Sequence, residues 1–152
     1  MTFKLRTMLL ALALSGASRA ADLTSSGDWV TTIAASNLVS GAGSDLQAQF
    51  ESFSGVTTLT ISNISGAWSL RARRAGANGH PDVAVSLKRT SGGSGSGDIS
   101  GGTAYVELTN SDVEIFTGSE ARSGVALQFK LTGLSHKVAP ATYFSSIIFT
   151  VQ

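Results

Sequence analysis

The chain has 152 residues with 11 basic and 10 acidic side chains, formally +1, and no cysteine. That size suits one domain with a sizeable core, and the missing thiols exclude disulfides and thiolate metal sites. The near-neutral charge gives no clustered basic surface of the kind nucleic-acid binding needs.

The N-terminus is expected to be an export leader, residues 1–20. Lys4 and Arg6 form a basic n-region. Met8 to Leu14 (MLLALAL) form a short apolar core, and Ser18-Arg19-Ala20 offers small residues at the two positions a signal peptidase reads. The apolar run is too short for a bilayer span, which takes about 20 residues. The competing expectation for this stretch is a buried N-terminal helix. Cleavage leaves a mature domain, 21–152, of about 130 residues. Losing Lys4, Arg6 and Arg19 leaves eight basic residues against ten acidic ones, about −2. No later stretch is long and apolar enough to span, so no membrane span is expected after leader removal. The expected location is outside the cytoplasm: secreted, at the cell surface or in the periplasm.

After the leader the dominant period is two, the mark of strands with one face in a core. In chain order the segments are Trp29–Ile33, Leu46–Phe53, Val56–Ile61, 68–73, 83–88, Ala104–Leu108, Val113–Phe116, 125–132 and Thr142–Val151. The clearest alternate Trp68, Leu70 and Ala72 with Ser69, Arg71 and Arg73, and Val125, Leu127, Phe129 and Leu131 with Ala126, Gln128, Lys130 and Thr132. Thr142–Val151 is apolar on both faces, so it is buried twice or waits for a partner. Turn signals such as Gly41-Ala42-Gly43-Ser44 and Ser123-Gly124 separate the runs. One short helical turn is expected near Gly43–Gln49. The pattern predicts a single all-β domain, a β-sandwich or a small barrel, and of the two an immunoglobulin-like antiparallel sandwich of seven to nine strands is expected. Its predicted core includes Trp29, Ile33, Phe50, Leu59, Ile61, Trp68, Leu70, Val83, Val85, Leu87, Val125, Leu127, Phe129, Tyr143, Ile147 and Phe149.

Chemistry-bearing motifs are few. Ser91–Gly102 (SGGSGSGDISGG) lacks the lysine of a phosphate loop and misses the Ca²⁺ nonapeptide pattern by one residue. It is expected to be a flexible hairpin loop. His80-Pro81-Asp82 matches the J-domain tripeptide, but it lies between two alternating runs and reads as a turn. Only His80 and His136 are candidate general bases, and no G-x-S-x-G elbow or H-E-x-x-H occurs. Glu107, Asp112 and Glu114 form the nearest carboxylate cluster and read as solvent-side strand residues. Asn63-Ile64-Ser65 fits a glycosylation acceptor. No catalytic, cofactor-binding or metal-ligating residue is assigned, and no cofactor is implied. The one basic concentration is Arg71, Arg73, Arg74, Lys88 and Arg89. If 68–74 and 83–90 pair as a hairpin, Arg71, Arg73 and Lys88 share an exposed face for an anionic contact.

The segment Pro140-Ala141-Thr142-Tyr143-Phe144-Ser145-Ser146-Ile147-Ile148-Phe149-Thr150-Val151, with the preceding Gly124–Leu131, resembles the closing strands of bacterial immunoglobulin-like pilin and spore-coat-U-type subunits. The chain departs from that pattern in lacking a cysteine pair and in carrying Val151 where a penultimate tyrosine is common. The resemblance implies a non-enzymatic subunit of a surface, fimbrial or matrix assembly, joined to a second copy or another envelope protein by strand exchange. Trp29, Val30 and Ile33 are then the candidate donor strand. The alternatives are a secreted carbohydrate- or envelope-binding module and, last, a hydrolase built on a histidine.

Overall fold

A computed structural model describes residues 1–9, 21–76 and 79–152. Twelve strands are present among the described residues: β1 (Thr2–Leu9), β2 (Asp22–Ser26), β3 (Trp29–Thr32), β4 (Gln49–Glu51), β5 (Thr57–Ser62), β6 (Ala67–Ala75), β7 (Ala84–Ser91), β8 (Ile99–Ser100), β9 (Val106–Leu108), β10 (Val113–Ser119), β11 (Arg122–Thr132) and β12 (Thr142–Val151). They form two sheets. The first runs β3-β1-β12-β6-β10-β8, and the second runs β2-β5-β11-β7-β9, with β4 also on β11. The expected all-β sandwich is therefore present, with more strands than the seven to nine anticipated. β1, β2 and β8 account for the excess. β1 was read as leader, β2 carries a single inward apolar residue, Leu23, and β8 is two residues long.

The alternation decides what lies between the sheets. Val125, Leu127, Phe129 and Leu131 of β11 point inward and are fully buried, facing Leu70, Ala72, Ile147 and Phe149 of the opposite sheet. Each such aliphatic or aromatic side chain contributes about 1.5–3 kcal/mol by leaving water. The predicted core residues are buried throughout except Tyr143, which packs half-buried against the core. β12 is apolar on both faces as expected. Ile147 and Phe149 enter the core, while Phe144, on the outer face, stays 39% exposed.

Three local expectations are corrected. β6 and β7 do not form a hairpin: β6 pairs with β12 and β10, and β7 pairs with β11 and β9 in the other sheet. The connection through His80-Pro81-Asp82 crosses between layers, and the Val83 amide closes a turn on the His80 carbonyl. Ser91–Gly102 likewise crosses from the second sheet back to the first, so it is not a hairpin loop. It is packed tightly. A Cβ at Gly93 would lie 2.2 Å from the Ser123 carbonyl oxygen, and one at Gly97 would lie 2.0 Å from that of Ser119. Glycine is needed there for close backbone approach, not for looseness. Finally, the short helical turn occurs at Ala35–Asn37 rather than at 43–49. The Asn37 side chain fixes it by accepting from the Ala34 amide at 2.9 Å.

The N-terminal segment is described only in part. Residues 2–9 form β1, a full strand of the first sheet. The remainder of the expected leader, residues 10–20, lies outside the described residues. Among the described residues no helix is long and apolar enough to cross a membrane.

Candidate functional site

β1 lies between β3 and β12. It runs antiparallel to β3, from Thr2 opposite Thr32 to Leu5 opposite Trp29. Along β12 it runs parallel over its whole length, from Thr2 opposite Thr142 to Leu9 opposite Phe149. This is the one parallel pairing among the described residues, and parallel ladders are slightly weaker per residue. The strand is amphipathic with a period of two. Phe3 and Leu5 are buried, while Lys4 and Arg6 face outward. Phe3 stacks on Tyr143 with ring centres 5.1 Å apart, and Lys4 Nζ sits 5.7 Å from the centre of the Phe144 ring. At the two ends, the Met1 ammonium donates to the Ile33 carbonyl at 3.1 Å, and the Thr7 amide donates to Asp28 Oδ1 at 3.2 Å.

Beneath β1 lies a small cavity lined by Phe3, Leu5, Trp29, Arg74, Leu131 and Tyr143. Arg74 reaches into this layer from β6. Its Nε donates to Ser145 Oγ at 2.9 Å and its Nη1 to the Val83 carbonyl at 2.6 Å. It makes no ion pair among the described residues. Burial lowers its pKa below the ordinary arginine value.

The candidate donor residues belong to β3 and the turn after it. Trp29 is buried and stacks on Phe129 at 6.5 Å, Ile33 is buried, and Val30 is 55% exposed. Among the described residues β3 has one strand neighbour, β1, and no strand pairs with its other edge.

The five basic residues do not share a face. Arg71 and Arg73 lie on the outer side of the first sheet, where Arg71 donates to the Asp112 carbonyl and Arg73 pairs with the Asp112 carboxylate at 3.5 Å. Arg74 turns toward the core, as above. Lys88 lies on the outer side of the second sheet, where its Nζ and that of Lys130 sit 4.4 and 4.3 Å from the Tyr105 ring centre. Arg89 donates twice to the Gly101 carbonyl, at 2.9 and 2.7 Å. The two outer sides point in opposite directions, so the hairpin-based basic face is not formed.

The remaining candidates are dispersed. His80 packs edge-on against Tyr143 at 5.6 Å and accepts the Asp82 amide on Nδ1. His136 lies beside Asp45, with Nδ1 to Oδ1 at 3.5 Å. Asp45 accepts the amides of Leu46 and His136, and these bonds hold its pKa below the ordinary aspartate value. Glu107, Asp112 and Glu114 are exposed. Among the described residues no group of three or more His, Cys, Asp or Glu side chains gathers at one point. A broad open depression of about 460 Å³ lies over the β6–β10–β8 end, lined by Ser69, Asp98, Ser100, Thr117, Ser119 and Gln152.

Sequence reasoning missed β1 as a structural element, and with it the roles of Phe3, Leu5 and Arg74. A signal was available: Phe3 and Leu5 alternate with Lys4 and Arg6, a strand pattern that the leader reading absorbed as a basic n-region. No protein-family model matches this chain, and no curated protein is significantly similar to it.

Proposed function

We propose that this chain is the precursor of an exported, non-enzymatic subunit of a surface, fimbrial or matrix assembly, with residues 21–152 as the mature domain and self-association through the β3–β12 edge. One observation carries the reading: among the described residues the single strand partner of β3 is β1, and β1 lies within the segment whose composition reads as a removable leader. Loss of β1 leaves two facing edges, each with unpaired amides and carbonyls, and such edges are templates for pairing with another chain. It also uncovers the apolar surface now shielded by Phe3 and Leu5, at a cost of about 1.5–3 kcal/mol for each side chain. Both penalties favour re-covering the edge. A second copy offers a strand of matching pattern in Trp29, Val30 and Ile33, and another envelope protein with an extended apolar segment is the other partner class. Catalysis has weaker support, since neither His80 nor His136 is hydrogen-bonded to a serine hydroxyl among the described residues.

The test is export from a bacterial host followed by mass analysis and electron microscopy of the released protein. The expected product begins at Ala21 or Asp22 and forms a concentration-dependent ladder or filaments. A released product that stays monomeric at every concentration overturns the reading. The second reading, a ligand-binding module, draws on the hydroxyl-lined depression around Ser100 and Thr117. A glycan screen with a clear hit, abolished by Asp98→Ala, would place it first.

A further inference from the structure

β1 occupies the interval through which β3 and β12 would otherwise meet. Leu5 lies opposite both Trp29 and Ser145, and Phe3 lies opposite both Thr31 and Tyr143. β3 is therefore antiparallel to β12 and already in matching phase. Its inward residues, Trp29 and Thr31, stand level with the inward residues of β12, Ser145 and Tyr143. If β1 withdraws, a strand with the β3 sequence can pair with β12 with no change of face.

The root of β3 decides whose strand that is. β2 is held in the second sheet by its pairing with β5 up to Ser26 opposite Thr58. The next residue, Gly27, is fixed by Thr57 Oγ1 donating to its carbonyl at 2.8 Å. It sits so close to β5 that a Cβ would lie 2.1 Å from the Val56 carbonyl oxygen. For β3 to close on its own β12 their separation must fall from two strand spacings to one, a sideways translation of about 4.8 Å, with this root pinned two residues away. Swinging outward to another molecule requires only a change of direction after Gly27.

We infer that residues 2–9 are an internal placeholder: β1 seals the β12 edge of its own chain, and its withdrawal switches the chain from a monomer to one that takes β3 of a second copy. The final step rests on the strand-exchange reading above. Phe3 and Leu5 are the side chains that hold the placeholder in, by stacking on Tyr143 and filling the layer beside Trp29. Lys4 and Arg6 keep the outer side of the seal polar.

The experiment uses the full chain with processing absent. In the Phe3→Asp/Leu5→Asp variant the apolar anchors of β1 are removed. In the Arg6→Cys/Ser146→Cys variant two outward, register-matched positions of β1 and β12 receive the only thiols in the chain, and a short bis-maleimide locks the strands together. Masses are read by light scattering over a hundredfold concentration range. The expected result is a monomer for the unmodified and locked chains and a shift to dimers and larger species for Phe3→Asp/Leu5→Asp. An excess of a synthetic peptide of residues 1–9 should return that variant to monomer. Circular dichroism checks its folding, and Leu5→Ala, a milder release, should show the same shift at higher concentration. If the locked chain associates as readily as the released one, the placeholder role is overturned, while self-assembly through another surface stands. If the released chains stay folded and monomeric throughout, with β3 amides protected, β3 has closed at home, and both the placeholder role and the exchange reading fall.

Discussion

β11 and β12 are the two longest C-terminal strands, of 11 and 10 residues, and both present an apolar row to the core, interrupted in β12 by Ser145. Their edges differ. β11 is flanked on one side by β7 and on the other by β5 and then β4, all from the body of the domain. β12 has β6 on one side, but its other side depends on β1, an eight-residue strand that joins the sheet in parallel. Side-chain periodicity thus fixes which face is buried, whereas the supply of partners along each edge fixes how firmly a strand is held. Equal apolarity does not mean equal security.

The largest way to break this comparison is at the centre of β11. Phe129 is fully buried and stacks on Trp29. Phe129→Ala should destabilise the full chain by about 3–5 kcal/mol, read from the midpoint of denaturant unfolding. A loss below about 1 kcal/mol would mean that β11 is not the keystone. The matched substitution on the other side is Phe3→Ala. Its ring lies at the sheet margin, so the expected loss is about 1.5–3 kcal/mol, with faster amide exchange in β1 and β3 and little change in β11. Uniformly faster exchange across both sheets would show that the margin and the centre unfold as one unit.

Two smaller tests concern the loops and outer faces, where neither strand is at stake. The Tyr105 hydroxyl is enclosed and has no hydrogen-bond partner among the described residues, so Tyr105→Phe should change stability by less than about 0.5 kcal/mol near neutral pH. Burial first, and the neighbouring Glu51 carboxylate second, raise the pKa of this phenol above its usual 10. The folded state therefore keeps a proton that the unfolded state gives up. Stability linked to Tyr105 is complete below pH 10 and declines above it, and Tyr105→Phe should flatten that alkaline decline. The smallest effect belongs to Asp45, whose pKa is held below 3.8 by the Leu46 and His136 amides. Its contribution is present above that value and fades as the pH falls through the folded-state pKa. Asp45→Asn should be slightly less stable than the parent at pH 6, with the gap closing under acid. A gap that widens in acid would reverse the sign.

The sandwich was legible because its strongest signals are local. Leu70, Val85, Leu127 and Phe149 each sit in an alternating run, and a period of two needs no knowledge of the partner strand. What the sequence hid is pairing. β6 and β7 are neighbours along the chain and both carry cations, yet they lie in opposite layers. The clustering of Arg71, Arg73 and Lys88 was thus inferred from adjacency in sequence that the fold does not keep. The Gly-rich stretch misled for a related reason. Composition reports that glycine is present but not whether it serves freedom or close approach, and at Gly93 and Gly97 the neighbouring backbone decides. β1 was hidden because a basic-then-apolar stretch and an amphipathic strand use the same residues, Phe3 to Arg6, and the strand shows itself only through long-range pairing with β12.

The two tryptophans happen to divide the molecule between them. Trp68 is tethered by its indole nitrogen to the Glu120 carbonyl at 2.9 Å, far along the first sheet, while Trp29 rests on Phe129 directly beside the strand that this chain inserts. The protein therefore carries its own pair of optical gauges. A red shift confined to the Trp29 emission, isolated by Trp68→Phe and compared with the Trp68 emission isolated by Trp29→Phe, reports departure at the margin, and a shift in both reports loss of the whole, so release of β1 and unfolding are separable with light alone and no added label.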